Sequence, residues 1–200
     1  MQQIDFYQKI EGKKQAAFIA FFALDGKPWH NYPTDETKLH QLVIPTCLMM
    51  NRADGTVGFI GGKVDGEETL EEAAIREVKE EIGHAVNLEL EPIVAHDIGP
   101  ITTHLFAAEI PYLQLRQIQD DAIHADHFGS EVTGVFLPHL IDYTKTTKKK
   151  GGLIHLLQYS MPPSVREELV HFLLKKEIID KQELDKLCNE AGYSLKELLK

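Results

Sequence analysis

The sequence is poor in cysteine and has no apolar run long enough to cross a membrane. Its 200 residues include two cysteines, Cys47 and Cys188, a number that excludes a disulfide scaffold and favours two packed thiols in a reducing compartment. The longest apolar run, from Ala16 to Leu24, covers nine residues, whereas a membrane-spanning helix needs about twenty. The first thirty residues lack the charged and apolar regions of a secretory signal. We therefore expect a cytoplasmic protein, or a nuclear one in a eukaryote.

Positive charge is also scarce. The chain has 21 Lys and Arg against 31 Asp and Glu, a net charge of −10. Such a charge repels polyanions at long range and argues against a protein that coats nucleic acid, although it leaves room for a single phosphate-binding pocket. The hydrophobic fraction of 43% suffices for one core and excludes a disordered or collagen-like chain.

The hydrophobic pattern predicts a mixed α and β domain, in which a sheet lies between helices in an α/β/α or α+β arrangement. We expect residues 1–180 to form this domain and residues 181–200 to form a helical appendage. The expected strands are Ala16–Leu24, Leu42–Met50, Val57–Ile60, Leu88–Ile98, Ile101–Ile110 and Glu131–Leu140. The expected helices are Thr69–Ile82, Leu113–Ala125, Ser164–Lys176 and an amphipathic pair within residues 181–200.

The helix expected at Thr69–Ile82 is unusually acidic on one side. Thr69 and Glu72 have the spacing of a capping box, and Gly83 is a stop signal. At about 100° per residue, the side chains of Glu77, Glu80 and Glu81 share an arc of roughly 100° beside the apolar stripe. Two such charges about 6 Å apart repel each other by about 3 kcal/mol at an effective dielectric constant near 20. The cluster therefore predicts a divalent cation.

Only oxygen ligands are present in this cluster, which favours Mg²⁺, or else Mn²⁺, over zinc. The alternative is a charged surface helix in which Arg76 and Lys79 serve as counter-ions.

The segment before the helix adds a longer pattern. In order it contains Gly62, five residues, Glu68, seven residues, then Arg76-Glu77, an apolar residue, any residue, Glu80-Glu81, any residue and Gly83. This pattern resembles the Nudix box, the signature of hydrolases that cleave a nucleoside diphosphate linked to another group, and all seven fixed positions match. Two neighbouring positions depart from the usual box, since Ile60 replaces a proline and His84 replaces an apolar residue.

The resemblance implies a Nudix fold, an α/β/α sandwich with a mixed sheet in which residues 61–83 form a catalytic loop–helix–loop. By position, the implied metal ligands are Glu77, Glu80, Glu81 and the Gly61 carbonyl, and Glu80 and Glu81 are implied to be catalytic. Glu131 is an implied further metal ligand or base, and its alternative is a solvated charge at the end of a loop. The implied structural residues are Gly62, Glu68, Arg76 and Gly83.

Further patches are similar to one branch of this family, the small-nucleolar-RNA-decapping and (deoxy)inosine diphosphatase proteins. These patches are Arg52–Phe59, His127–Val132, Gly151-Gly152 and Ser164–Glu168. The resemblance implies that Arg52 and Phe59 flank the nucleotide, with Phe59 stacked on the base, and that Glu168 lies near the base edge. The plain alternatives are a surface charge for Arg52, a core aromatic for Phe59 and a solvent-facing carboxylate for Glu168. A histidine that the branch places against the purine corresponds to Ile19.

Taken together, these features predict an Mg²⁺-dependent hydrolase that releases a nucleoside monophosphate from a purine nucleoside diphosphate or a capped RNA end. One alternative is a pyrophosphatase for ADP-ribose or nucleoside diphosphate sugars. Another is a non-catalytic module that binds a nucleotide or ADP-ribose, against which the three intact glutamates argue. We expect a nucleotide partner, capped RNA as a further one, no membrane, and a homodimer by analogy alone. Lys148–Lys150 would contact an RNA backbone or form an exposed loop.

Overall fold

The computed structural model describes residues 1–27, 43–83, 89–142 and 151–200. Its strands are β1 (Gln2–Ile4), β2 (Lys14–Ala23), β3 (Thr46–Cys47), β4 (Met49–Arg52), β5 (Val57–Gly58), β6 (Ile60–Lys63), β7 (Glu91–Asp97), β8 (Ile101–Glu109) and β9 (Val132–Phe136). Its α-helices are α1 (Leu70–Ile82), α2 (Tyr112–Asp121), α3 (Leu153–Leu157), α4 (Val165–Lys175), α5 (Lys181–Ala191) and α6 (Leu195–Leu198). A 3₁₀ turn, Ala122–His124, follows α2.

The strands form two sheets. The larger sheet has the order β1-β7-β8-β2-β3, and β6 also pairs with β2. Strands β2 and β8 are parallel, whereas the other pairs in this sheet are antiparallel. The smaller sheet has the antiparallel order β5-β4-β9.

Helices cover both faces of the larger sheet, because alternate side chains of β2 pack against two different sets of helices. Phe22 and Ala20 point into a cluster with residues of α3, α4, α5 and α6. Phe21 and Ile19 point the other way, into a cluster with residues of α1 and α2. Successive side chains of a strand face opposite sides, so a strand that is apolar throughout needs a partner layer on each side. The α/β/α arrangement expected from the sequence is confirmed.

Helix α1 has the ends expected from its sequence. The Thr69 hydroxyl accepts from the Glu72 backbone N–H, and the Glu72 carboxylate accepts from the Thr69 N–H, which completes the capping box. Gly83 ends the helix in a left-handed conformation, with φ of 71°. The stripe on the helix is buried and contains Leu70, Ala73, Ala74, Val78 and Ile82.

The strand expected at Val57–Ile60 should end before the two glycines that precede α1, but the structure continues a strand through both of them. Gly61 and Gly62 lie inside β6, opposite Phe18 and Ala17 of β2. Gly61 has φ of 141°, and a Cβ atom built there would lie 2.2 Å from the Ala17 carbonyl oxygen. A glycine is required because the two backbones approach so closely.

Several other strand and helix boundaries differ from those expected from the sequence. The expected strand Leu42–Met50 is divided at Leu48, since β3 pairs in the larger sheet and β4 in the smaller one; its first residue lies outside the described ranges. Strand β9 ends at Phe136 because its partner β4 begins at Met49, opposite that residue. The expected helix Leu113–Ala125 is divided into α2 and the 3₁₀ turn. The sequence patterns predicted neither β1 nor α3.

The last twenty residues pack onto the same core as α4. Leu184, Leu187, Cys188 and Leu195 are buried within one cluster together with Phe172. Cys47 and Cys188 are both buried free thiols, as expected. A separate appendage at residues 181–200 stays a prediction. Among the described helices, none is both long and apolar enough to cross a membrane.

We expect the substitution Gly61→Ala to lower the free energy of unfolding by roughly 3 kcal/mol or more, because its Cβ would collide with backbone atoms of β2. Gly12→Ala is the matched control, since Gly12 also has a positive φ but has no atom within 4 Å of the added Cβ. The control is expected to cost about 1 kcal/mol. Urea denaturation measures both, and equal losses would contradict the close approach.

Candidate active site

Arg76 fixes the loop before α1 against the helix. Its Nη2 donates to Glu68 Oε1 at 2.9 Å and to the Lys63 carbonyl at 2.8 Å, and its Nε donates to Glu68 Oε2 at 3.2 Å. The pKa of Arg76 is raised, mainly because of its hydrogen bonds to Glu68. Partial burial acts in the opposite direction and lowers this pKa by less. The Arg76 side chain is therefore a permanent cation at the centre of the loop–helix segment.

The same guanidinium gathers two carboxylates of the helix. Nη1 of Arg76 donates to Glu77 Oε1 at 2.9 Å and to Glu80 Oε2 at 3.0 Å. Glu77 is only 9% exposed, and burial raises its pKa, an effect that Arg76 opposes. Arg76 is the counter-ion that a charged surface helix would use, but a carboxylate this deeply buried is not part of a solvated face.

Glu81 is buried more deeply, at 2% exposed. Its Oε2 accepts from the Gly61 backbone N–H at 2.8 Å. Burial raises the pKa of Glu81 to about 8; the Gly61 hydrogen bond and the Arg52 charge lower it, and the charges of Glu77 and Glu131 raise it further. The site thus brings together carboxyl groups whose charged forms are disfavoured by burial and by one another.

The donor set fits a hard divalent cation. In the part of the chain that the structure describes, no three Asp, Glu, His or Cys side chains already form a metal cluster. Arg76 Nη1 nevertheless marks a point on which oxygens of Glu77 and Glu80 converge around a positive charge. Glu81 lies one residue beyond Glu80 and is turned toward Gly61. Carboxylate oxygens in this number suit Mg²⁺ or Mn²⁺ better than zinc.

Glu131 approaches the same site from a different loop. The His127 backbone N–H donates to the Glu80 carbonyl at 2.9 Å, which docks the loop before β9 on the end of α1. The exposed Glu131 carboxylate lies 3.9 Å from His127 Nδ1, and its charge raises the pKa values of Glu77 and Glu81. Its role as a ligand or base stays a prediction.

A cavity of about 160 Å³ lies among residues of β2, β5, β8 and the start of α4. Its wall includes Arg52, whose charge lowers the pKa of Glu81 and so connects the cavity with the acidic helix. Phe59 is 1% exposed and packs edge-on toward Phe172, with ring centroids 6.5 Å apart; it is a core aromatic that also lines the cavity. Phe18 lines the cavity too, whereas Ile19 lies on the opposite face of β2.

A buried polar network forms one side of this cavity. Thr103 Oγ1 donates to Ser164 Oγ at 3.1 Å, and Ser164 Oγ donates to Glu168 Oε1 at 2.9 Å. Glu168 is 1% exposed, so the solvent-facing alternative is wrong. Burial raises the pKa of Glu168 to about 7, although hydrogen bonds from Thr103 and Ser164 lower it. Glu168 Oε2 has no hydrogen-bond partner among the described residues.

No sequence pattern pointed to Thr103, and Ser164 stood out only as the first residue of the patch Ser164–Glu168; both residues line the cavity. Ser164 stands at the start of α4 with φ of 76° and no side-chain cap bond, because its hydroxyl is engaged with Glu168. A positive φ at a residue other than glycine is strained and is found most often at functional sites. His84 and Lys148–Lys150 lie outside the described residues.

Comparisons with known proteins agree with this geometry. The sequence profile of the Nudt16-like family, described as U8 snoRNA-decapping enzyme-like, matches residues 32–179. The U8 snoRNA-decapping enzyme of Mus musculus is 30% identical over 187 residues, which cover 86% of this chain and 93% of that protein. The Tudor-interacting repair regulator protein of Gallus gallus is 32% identical over 132 residues, 64% of this chain and 41% of that protein.

Among solved structures, a MutT/nudix family protein from Listeria innocua has a TM-score of 0.51 at 16% sequence identity. The match covers 86% of this chain and 100% of the Listeria innocua chain. At this identity the likeness concerns the fold alone, and it confirms the expected Nudix fold.

Gly62→Ala is expected to reduce turnover without unfolding the protein. A Cβ atom at this position would lie 2.4 Å from Glu77 Oε1, and that carboxylate is the end of a flexible side chain, so it would move aside. We expect kcat to fall at least about tenfold, since a displacement of about 1 Å costs much catalysis. The midpoint of thermal unfolding, measured on the same sample, should change far less than for Gly61→Ala. Unchanged kcat would separate the Glu77 position from activity.

Glu168→Gln is expected to change the pH dependence of stability. A carboxyl whose pKa is raised from 4.5 to about 7 holds its proton more tightly in the folded state, so its stabilising contribution is complete below pH 4.5 and is lost as pH rises toward 7. The variant should therefore gain roughly 3 kcal/mol relative to wild type across that interval. Denaturation at several pH values measures this, with Glu167→Gln as the reference. A difference that stays constant with pH would contradict the burial of this carboxyl.

Proposed function

Because this chain belongs to the Nudt16-like family and is an enzyme of the Nudix hydrolase type, we propose that it hydrolyses capped RNA ends or purine nucleoside diphosphates. The bond that breaks would be a pyrophosphate linkage, and one product would be a nucleoside monophosphate or a monophosphorylated RNA end. We propose Mg²⁺ as the cofactor, with Mn²⁺ as a substitute.

The observation that carries this proposal is the position of Arg52 between two dissimilar environments. On one side is the buried carboxylate of Glu81, whose pKa the Arg52 charge lowers. On the other side is the largely apolar cavity bounded by Phe18 and Phe59. A nucleotide has the same two parts, since its phosphates require cations and its base prefers an apolar slot with a few hydrogen-bonding groups.

The acidic helix would hold the metal through Glu77, Glu80 and Glu81. When bound, Mg²⁺ supplies charge neutralisation of the phosphate oxygens and a more acidic water. Arg76 would keep its two hydrogen bonds to Glu68 and so hold the loop in place. Its Nη1 would meanwhile release the carboxylates of Glu77 and Glu80 to the metal. The exposed carboxylate of Glu131 would accept the proton of the attacking water.

The cavity would receive the base. Its apolar walls favour a flat ring, and the hydroxyls of Thr103 and Ser164 present hydrogen-bonding groups to the polar edge of that ring. Arg52 would contact the phosphates and neutralise part of their charge. Positioning and electrostatic stabilisation of this kind provide most of the acceleration in phosphoryl transfer.

We test the proposal by measuring product release from a cap dinucleotide, inosine diphosphate, ADP-ribose and a nucleoside diphosphate sugar, with Mg²⁺ and with EDTA. Wild type should hydrolyse the first two most efficiently, and Glu81→Gln should lower kcat by roughly a hundredfold or more. Glu67→Gln, an exposed charge change in the preceding loop, is the matched control and should retain turnover.

Preference for ADP-ribose or the sugar conjugate would contradict the proposed substrate class. Binding of nucleotides without any product, measured by calorimetry, would identify a non-catalytic module instead. Equal turnover by Glu81→Gln and wild type would remove this glutamate from the mechanism.

A further inference from the structure

A second and larger cleft lies at the far end of β9 from the acidic helix. Its volume is about 390 Å³. We name it the basic cleft and define it by six of its lining residues: Lys27, Tyr112, Arg116, Phe136, His155 and Tyr159. No carboxylate is among the described residues that line it. The chain as a whole has a net charge of −10, so a cleft whose described lining includes Lys27 and Arg116 but no carboxylate favours an anionic ligand.

Among the described residues, the Arg116 cation of the basic cleft is not neutralised by a strong ion pair. The Arg116 guanidinium lies 3.8 Å from the Asp120 carboxylate one helical turn away, and both side chains are largely exposed. An exposed pair of this kind contributes little, so an incoming phosphate competes well for the arginine. Asp25, close to the cleft, is engaged as an acceptor from the Tyr112 backbone N–H at 3.0 Å.

Aromatic rings accompany these cations. The rings of Phe136 and Tyr159 have centroids 6.0 Å apart and are tilted by 43°. Tyr159 is 48% exposed, so much of its side chain remains accessible to a ligand. Basic side chains that alternate with exposed aromatic rings are the combination by which proteins bind single-stranded nucleic acid, since phosphates meet the cations and bases stack on the rings.

The basic cleft and the 160 Å³ cavity are connected along the chain in two ways. Tyr159 begins a segment whose Pro162, Pro163 and Ser164 line the cavity, and the Ser160 carbonyl accepts from the Val57 N–H and holds this segment on β5. Strand β9 provides the second connection, since Glu131 precedes it at the acidic site and Phe136 ends it at the cleft. The five residue steps from Glu131 to Phe136 span roughly 16 Å in an extended strand, a distance that a few nucleotides cover.

We propose that the basic cleft binds the single-stranded RNA chain that follows the pyrophosphate of a capped substrate. The phosphodiester groups lie on Lys27 and Arg116, and unpaired bases stack on Tyr159 and Phe136. This inference rests on the proposed function, because it assigns a place to the part of the substrate that the 160 Å³ cavity cannot hold. Charge complementarity in an otherwise acidic protein selects a polyanion over a protein partner.

The experiment measures binding of a 5′-monophosphorylated, 3′-fluorescein-labelled single-stranded RNA of about ten nucleotides, a length within the range of one binding module. Fluorescence anisotropy is recorded with the full chain in EDTA, so that hydrolysis and metal do not contribute. Arg116→Gln is expected to weaken binding roughly fourfold at 0.15 M salt and to make the slope of log K against log salt less steep by about 0.7, the loss of one phosphate contact. Tyr159→Leu should weaken binding at least about fivefold.

Lys186→Gln is the matched control. Lys186 is exposed on α5 and pairs with Glu190 one turn away at 3.7 Å, as Arg116 pairs with Asp120, but it lies outside the basic cleft. The control should bind RNA as wild type does. Equal effects of Arg116→Gln and Lys186→Gln, absence of RNA binding by wild type, or a salt slope unchanged by Arg116→Gln would each overturn the proposal. So would a second copy of the chain covering the cleft, detected by sedimentation as a dimer that Tyr159→Leu dissociates.

Kinetics separate this proposal from the proposed function. With a capped oligoribonucleotide, Arg116→Gln should raise KM about fourfold with kcat retained, whereas KM for a cap dinucleotide, which has no RNA chain, should not change. A wild-type enzyme that binds the oligonucleotide in the cleft but hydrolyses neither capped substrate would refute the proposed function alone. Hydrolysis of the capped RNA with the same KM for wild type and Arg116→Gln would refute the cleft alone.

Discussion

The guanidinium of Arg76 is the interaction on which the site depends. Through one side chain it joins Glu68 of the preceding loop, the Lys63 backbone at the end of β6, and Glu77 and Glu80 of α1. Without it, the loop would have no anchor on the helix, and two carboxylates would face each other without a cation. Because a guanidinium offers five donors in a fixed plane, it can hold the loop with one edge and release the helix carboxylates with another. A lysine has no such second edge.

Burial of the Glu77 and Glu81 carboxyl groups disfavours their charged forms in the absence of a bound cation. Glu81 is covered by β6 and bonded to the Gly61 N–H, a position made accessible by a glycine pair that lets β6 lie directly on β2. Both glycines therefore serve one arrangement: Gly61 allows the close approach of two backbones, and Gly62 leaves room for the Glu77 carboxylate. Carboxyl groups that lose their hydration in this way are poised for a cation of higher charge than arginine.

Much of this site was readable in the sequence, because its geometry is local. The capping box, the stop at Gly83 and the spacing of Glu77, Glu80 and Glu81 all depend on the period of one helix, and the structure has that helix. The glycine pair was misinterpreted as a strand end, since a sequence shows that glycine is needed but not whether the reason is a turn or a close backbone approach. Burial of Glu168 and the network that joins it through Ser164 to Thr103 were not predictable, because Thr103 lies 61 residues from Ser164 in the chain. The basic cleft likewise combines residues of α2, β9 and α3 that no spacing rule connects.

The central claim is that the carboxylates of α1 exist to hold a divalent cation where the phosphates of a nucleotide lie. Electron paramagnetic resonance of Mn²⁺ titrated into the full chain tests it directly, since the signal of free Mn²⁺ disappears on binding. The account predicts saturable binding by wild type that Mg²⁺ displaces, that a nucleoside diphosphate strengthens, and that the triple substitution of Glu77, Glu80 and Glu81 by Gln abolishes. Undiminished free Mn²⁺ signal with wild type, or equal binding by the triple variant, would contradict it.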